Sequence, residues 1–519
     1  MSDTKLRNFH EAQWDEDLIF EQSVPGSRSL LVPDVSKEAG AVTGALSGLM
    51  PAGLKRKEKP ALPELAQPQV LRHYLRLSQE TIGQDINIDI GLGTCTMKYS
   101  PKINEQFVRS PKFTEMHPYQ DDDTAQGILK IIYDFEQIMK EISGLDAVSF
   151  QPGGGGQGIY ANAAVLKKYF EDRGEAEQRT QIITTILSHP LDSAAPAMKG
   201  FEVISLFPDE NGYPSLENLK AVVSEKTAGI FITNPEDTGV FNPIIREFVD
   251  VVHQAGGLCV CDMADYNGLF GLVRAKELGA DMCHFNLHKA FSSPHACMGP
   301  GCGAQCVSAE LEKYLPRPRV RFDGKRYYTD YDGPASVGKI RQFHGTLSAV
   351  IRAYAWVMSL GKDGLQTVAE TAILNNNYMM KRMLNEVKGV SMSWAEKAPH
   401  RLEQVRYSFE KLYKDTGVSA EDVNRHLVDF GFQRFFASHH PLIVPEPFTP
   451  EPTESYSKAD IDEYITALKK ISDEAYSTPE VVINAPYKAP ISKLECDHIK
   501  DYTELAVTWR SYKKQHPDA

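Results

Sequence analysis

The run Asn286-Leu287-His288-Lys289-Ala290-Phe291-Ser292-Ser293-Pro294-His295 follows a short apolar stretch and leads into glycines. A lysine there is a candidate Schiff-base residue for pyridoxal 5'-phosphate (PLP). A carbonyl cofactor needs an amine to hold it covalently, and an amine at the end of a buried strand can be desolvated enough to stay nucleophilic. Taken alone, Lys289 reads more readily as one of the many surface lysines that follow strands. The residues before it reverse that reading.

Asp262 closes the apolar run Leu258-Cys259-Val260-Cys261. An acid at the carboxyl end of a buried strand is costly unless a cation meets it, and a protonated pyridine nitrogen is such a partner. Ala264, just past the acid, is expected in the same wall. Asn234 opens the turn Asn234-Pro235-Glu236-Asp237-Thr238-Gly239, where it either donates to the cofactor phenolate or merely shapes the turn. Further upstream, Gly153-Gly154-Gly155-Gly156-Gln157-Gly158 stands between an apparent strand and a helix. Glycines there let backbone N–H groups approach a phosphate, and the helix N-terminus favours negative charge. Gly154, Gly155, Gly156 and Gln157 are therefore expected at the phosphate, with His288 as a further contact. The run matches neither GxGxxG nor the P-loop pattern. His189 follows another apparent strand, and it either lies flat on the cofactor ring and shuttles a proton or caps the strand. Cys297, Cys302 and Cys306 near His295 contain no CxxC pair, so no metal site is expected.

Outward from these residues, apolar strands alternate with helices. Ile128, Ile131, Ile132, Phe135, Ile138, Met139 and Ile142 follow helical spacing, with Gly144 at the place of a left-handed cap. Strands are predicted near Ile182 to Leu187, Val203 to Phe207, Gly229 to Thr233, Leu258 to Asp262 and Met282 to Phe285, with helices near Leu216 to Ser224 and Ile245 to Ala255. Continuous apolar strands separated by helices predict an α/β fold with a mainly parallel sheet covered on both faces. A long helical region covers Ser348 to Val387, and Ser419 and Ser457, each with an acid three residues on, open later helices. The division expected is an extended N-terminal arm over 1–110, a cofactor-binding large domain over 111–350 and a smaller α+β domain over 351–519.

Composition excludes several classes. The chain has 519 residues, 42% of them hydrophobic and 24% charged, as in soluble globular proteins. Its net charge of −13 repels nucleic acid and anionic membranes. The one basic cluster, Lys55, Arg56, Lys57 and Lys59, sits in a Gly/Pro/Ala-rich stretch and reads as a solvated loop. No stretch approaches the roughly 20 apolar residues of a membrane span. The first residues mix acids and bases without an apolar core, unlike a secretory or mitochondrial leader, and eight cysteines are too few for a disulfide scaffold, so a cytoplasmic location is expected.

These residues resemble a known family, the PLP-bearing second subunit of glycine dehydrogenase (decarboxylating) from the glycine cleavage system. The similarity runs through Arg72-His73, Gly93-Thr94-Cys95-Thr96-Met97-Lys98-Tyr99-Ser100-Pro101-Lys102, Asn286-Leu287-His288-Lys289, His440-Pro441-Leu442-Ile443-Val444-Pro445-Glu446 and Asn484-Ala485-Pro486. The resemblance implies an aspartate aminotransferase-like, fold-type I PLP enzyme with Lys289 as internal aldimine, Asp262 at the pyridine nitrogen and His189 stacked on the ring. It further implies that glycine, bound as an external aldimine, loses CO2 and passes its aminomethyl group to a lipoyl carrier protein, with a homologous first subunit as partner and a dimer or higher oligomer. Two stretches depart from the family. Its His-Gly-Thr-Asn-Pro is here His189-Pro190-Leu191-Asp192-Ser193, and its glycines after Pro-His are here Ala296-Cys297-Met298-Gly299. Both lie near the cofactor and are expected to alter the shape and charge of the pocket. A PLP enzyme of the same fold acting on another amino acid is therefore the second reading, and a non-catalytic interaction subunit is the third.

Overall fold

A computed structural model describes residues 4–28, 34–58, 60–83, 86–95, 98–293, 301–440, 443–493 and 508–517. Two compact units are present, one made of Met1–Asn8 and Gln84–Asn484, the other of Phe9–Gly83 and Ala485–Ala519.

The larger unit is built on a seven-stranded sheet. Its strands are β1 (Ala147–Ser149), β2 (Gln181–Thr185), β3 (Glu202–Leu206), β4 (Thr227–Thr233), β5 (Leu258–Met263), β6 (Met282–Asn286) and β7 (Gly303–Val307), in the spatial order β1-β7-β6-β5-β4-β2-β3. Strands β3, β2, β4, β5 and β6 run parallel, and β7 is antiparallel to both its neighbours. Alternate residues of each central strand enter different cores. Ile230, Ile232, Cys259, Cys261, Cys283 and Phe285 face one core, while Phe231, Val260 and Met282 face the other. Burial on both faces is why these strands lack polar alternation, and each large side chain so buried contributes about 1.5–3 kcal/mol.

Helix α1 (Gln126–Ser143) buries Leu129, Ile132, Phe135 and Met139 and ends at Gly144 with φ 73°, the left-handed cap that its spacing predicts. Helix α2 (Gly155–Asp172) starts in the glycine loop, and α3 (Leu191–Met198) follows His189. The long α4 (Leu347–Glu386) breaks from helical geometry at Gly361, with φ 63°. Its first half packs Val350, Ala353 and Trp356 on the sheet core, and its second half packs Met379, Met380 and Met383 into a separate core with Tyr407, Phe409, Phe448 and Tyr464. That second core carries a three-stranded antiparallel sheet, Ser391–Met392, Tyr407–Ser408 and Pro447–Phe448. Ser419 and Ser457 each close a reciprocal capping box with an acid three residues on.

In the smaller unit, little helical periodicity is legible in the sequence, yet Lys37–Leu49 and Gln67–Gln79 are helices. The first buries no side chain, so no apolar stripe marks it, and Ser36 caps it at the Ala39 N–H. In the second, His73 is buried, with Nδ1 2.8 Å from Glu16 Oε1.

Candidate active site

The parallel strands set the site, because β2, β4, β5 and β6 present their carboxyl ends along one edge, where loops converge on a ligand. Register brings polar residues side by side: Thr233 pairs with Asp262, and Asp262 pairs with His284. Lys289 follows on the turn after β6, its N–H donating to Asn286 O at 3.1 Å.

Asp262 is buried, with 5% of its surface exposed. His284 Nε2 lies 3.0 Å from its Oδ1, and the Ala264 N–H donates to the same oxygen at 2.7 Å. Burial opposes the charge, but His284, His189 and the Ala264 N–H outweigh it and hold the carboxyl at about 2. Asp262 is thus an ionised acid at a buried strand end. Ala264 acts through its backbone, and His284 is a partner the sequence reading missed. A lone histidine inside the apolar Met282–Phe285 run was the available signal.

The His189 ring meets the His439 ring edge to face, centroids 4.6 Å apart, and its Nδ1 accepts the Leu191 N–H at 3.1 Å. Burial lowers its pKa to about 4 despite the pull of Asp262, so the imidazole is neutral near pH 7 with its proton on Nε2. Of the two departures from the family pattern, 190–193 is described. Leu191 packs on the glycine loop, its Cδ1 2.9 Å from where a Gly156 Cβ would stand. Asp192 turns inward, where it accepts from Thr233 Oγ1 at 3.3 Å, and its Oδ1 is buried with no hydrogen-bond partner among the described residues. Burial, and after it the charge of Asp262, push its carboxyl well above the ordinary carboxylate range. Residues 294–300, holding His295, Cys297 and the second departure, lie outside the described residues.

The glycine loop packs on the Lys289 segment. Gly154 has φ 146°, and its missing Cβ leaves room for His288 Cε1 at 3.3 Å; Gly155 does the same for the Asn286 amide at 3.1 Å. Gln157 folds back so that its Oε1 accepts the Gly153 N–H at 2.7 Å. Among the described residues, the Asn286 Oδ1 is buried without a hydrogen-bond partner. A cradle of backbone N–H groups at a helix start and an ionised acid at a neighbouring strand end fit a phosphorylated, protonatable ring such as PLP. Asn234 sits beside this edge with its amide engaged elsewhere, Nδ2 donating to Asn242 O at 3.2 Å and Oδ1 accepting the Asn242 N–H at 2.8 Å.

Other groups that no sequence spacing marked complete the surroundings. Arg406 is fully buried, Nη2 donating to Asp237 Oδ2 at 2.9 Å and to Asp237 O at 3.0 Å, and His439 Nδ1 lies 3.3 Å from the same carboxylate. Glu236 accepts from Thr185 Oγ1 at 2.8 Å, and burial pushes its carboxyl up to about 8. Asn267 Nδ2 bridges Asp265 Oδ1 at 3.2 Å and Glu451 Oε1 at 2.6 Å, beside the buried Glu403. Among the described residues no cluster able to hold a metal ion occurs, and no helix is long and apolar enough to cross a membrane.

Comparison with known proteins places the fold. A family model for class-V aminotransferases matches residues 153–409, and one for the C-terminal domain of glycine dehydrogenase matches 368–488. A solved glycine decarboxylase (P-protein) of the glycine cleavage system, in inhibitor-bound form, has a TM-score of 0.69 at 19% identity, covering 85% of this chain and all of that one. A NifS-like protein has a TM-score of 0.55 at 16% identity, over 74% of this chain and 99% of that one. The chain is 41% identical to a Pyrococcus furiosus protein described as probable glycine dehydrogenase (decarboxylating) subunit 2, over 98% of both chains. It is 38% identical to the protein of the same description from Halalkalibacterium halodurans, over 93% of this chain and 96% of that one. Fold and site define an α/β, fold-type I enzyme of the PLP-dependent class. The chain belongs to the glycine dehydrogenase (decarboxylating) subunit 2 family.

Proposed function

We propose that this chain is the PLP-bearing subunit of a split glycine decarboxylase, in which glycine loses its carboxylate as CO2 and its aminomethyl group passes to a lipoyl carrier protein. The observation that carries the reading is Asp262, kept ionised in a buried strand end one strand from the Lys289 segment. When bound, PLP supplies the electron sink that allows an amino acid to lose its carboxylate. Lys289 holds the cofactor, and Asp262, steadied by Ala264 and His284, keeps a proton on the ring nitrogen. The neutral His189 stacks on the ring and carries its proton at Nε2, and Asn234 holds the neighbouring loop. Gly154, Gly155, Gly156 and Gln157 with His288 receive the phosphate. A homologous first subunit completes the enzyme, the assembly is at least dimeric, and its place is the cytoplasm.

The test is glycine-dependent exchange of labelled CO2 with the first subunit and a lipoylated carrier supplied. Exchange that depends on glycine supports the reading, and its absence under those conditions counts against it. A second reading, another amino acid as substrate, is favoured by Leu191 on Gly156, which narrows the loop wall. A screen of amino acids for CO2 release separates the two, since release from glycine alone sinks the second.

A further inference from the structure

Burial takes His189 out of proton exchange near neutrality, because a ring whose pKa is lowered to about 4 does not take up a second proton near pH 7. A second imidazole stands against it. The His439 ring meets the His189 ring edge to face, centroids 4.6 Å apart, and 23% of the His439 side chain is exposed, against 7% for the Asp237 side chain behind it. Solvent therefore reaches this second ring while the carboxylate that holds it stays buried.

The fold holds His439 as an oriented base. Its Nδ1 lies 3.3 Å from Asp237 Oδ2, and since a carboxylate only accepts, Nδ1 carries the hydrogen and Nε2 of the neutral ring keeps its lone pair. Among the described residues that Nε2 makes no hydrogen bond. Burial works against a charge on Asp237, but Arg406 and His439 outweigh it, with Arg406 Nη2 donating to Oδ2 at 2.9 Å. The segment around His439 is pinned on both sides. Arg406 donates to Ser438 Oγ, and His440 Nε2 donates at 3.1 Å to the carbonyl of Ser188, the residue before His189. The Phe436 ring closes a further side, centroids 4.8 Å apart. The titratable and charged groups around His439 are thus Asp237, His189 and His440, with Arg406 behind Asp237.

We propose that His439 is the acid–base residue of this site, positioned by Asp237 and Arg406, and that it takes the proton an amino-acid substrate must lose before its nitrogen can react. The substrate arrives as an ammonium ion, whose nitrogen has no free electron pair. His439 Nε2 takes one proton, and the N–H bonding pair becomes the lone pair of the amine. The imidazolium so formed faces the Asp237 carboxylate and gives the proton back to solvent at the part-exposed ring. An imidazole with a carboxylate behind its other nitrogen is a recurrent arrangement for this work. The inference rests on the PLP reading above, and it assigns stacking to His189 and proton exchange to His439.

The experiment uses the full-length protein loaded with PLP and follows the change in visible absorbance as an amine displaces Lys289, in wild type, H439Q and H439A. Two amines are compared: glycine, an ammonium ion near pH 7, and hydroxylamine, which is mostly neutral there and needs no base. H439Q is expected to slow glycine by about 100-fold or more near pH 7 and hydroxylamine by less than about twofold. The glycine deficit should shrink as pH rises and solution supplies the free amine, and imidazole added to H439A should restore part of the rate. An unchanged glycine rate in H439Q overturns the proposal, as does an equal slowing of both amines, which would mark His439 as a packing neighbour of His189. In the apo-protein, diethyl pyrocarbonate, which acylates neutral imidazole nitrogens, should label His439 before His189 in peptide mass maps; the reverse order also overturns the proposal. A wild-type protein that gains no absorbance with PLP overturns the cofactor reading and this inference with it. One that answers hydroxylamine but not glycine overturns glycine as substrate, and the same comparison is then read with the amino acid that the CO2-release screen selects. Far-ultraviolet circular dichroism of each variant identifies loss of folding.

Discussion

At the scale of single residues, the site is governed by which buried charges are paired. Burial opposes the charge of Asp237, but Arg406 and His439 hold its carboxyl well below the ordinary range. Arg406 also donates through Nε and Nη1 to the hydroxyls of Thr449 and Ser438, so its guanidinium is enclosed by acceptors. Removing one partner strands the other, so R406M is expected to cost about 3–5 kcal/mol in urea unfolding. The double variant D237N/R406M should recover part of that loss; a single variant as stable as the wild type would show the pair to be dispensable. Lys289 makes a different prediction, since K289A should stay folded and still lose the visible absorbance that PLP gains on bonding a lysine. Lys289 and Asp262 were legible in the sequence because a polar residue at the end of an apolar run asks for a reason. Arg406, Asp237 and His439 were not, because nothing in their spacing says that they meet.

At the scale of elements, helix α2 lies on β6 so closely that one methyl matters. A Cβ on Gly158 would stand 2.9 Å from His284 Cδ2 and Cγ. G158A must therefore push the ring that steadies Asp262, and the expected outcome is a loss of about 1–3 kcal/mol from overpacking together with weaker PLP binding. Thermal unfolding and PLP titration check it, and a G158A protein with normal PLP affinity would separate His284 from the cofactor site. The helices and strands themselves were largely legible. The α1 spacing, the parallel strands with their both-sided apolarity and the serine capping boxes all appear where the residues predict them. Strand β7 was missed because Gly303-Ala304-Gln305-Cys306-Val307 has neither alternation nor a run of large apolar residues, and its place is fixed by pairing with β1 and β6. Helix α3 was missed because Pro190 and Pro196 obscure its spacing.

At the scale of the whole molecule, buried acids set the dependence of stability on pH. Burial pushes Glu236 and Asp89 each to about 8. Their folded values lie above the unfolded ones, so their contribution is complete below about pH 4.5 and 3.8 respectively and is lost as pH rises through about 8. His189 and His344, each lowered to about 4, act with the opposite sign and only below about 6.5. Between pH 6.5 and 8 the acids therefore dominate, and Glu236 alone should remove about 1.5 kcal/mol over that window. Melting temperatures measured across it should fall, and E236Q should flatten the fall; an unchanged slope in E236Q would assign the effect elsewhere. The sequence by itself determined the class of fold, the strand ends and the candidate lysine, acid and glycine loop, because periodicity, backbone chemistry and the cost of a polar residue in an apolar run are local. Only the tertiary structure decided that Asp192 is buried, that His284 stands against Asp262, that Arg406 closes on Asp237 and that Arg341 rests on the glycine loop. Burial and distance between residues far apart in sequence set those charges, and neither exists until the chain has folded.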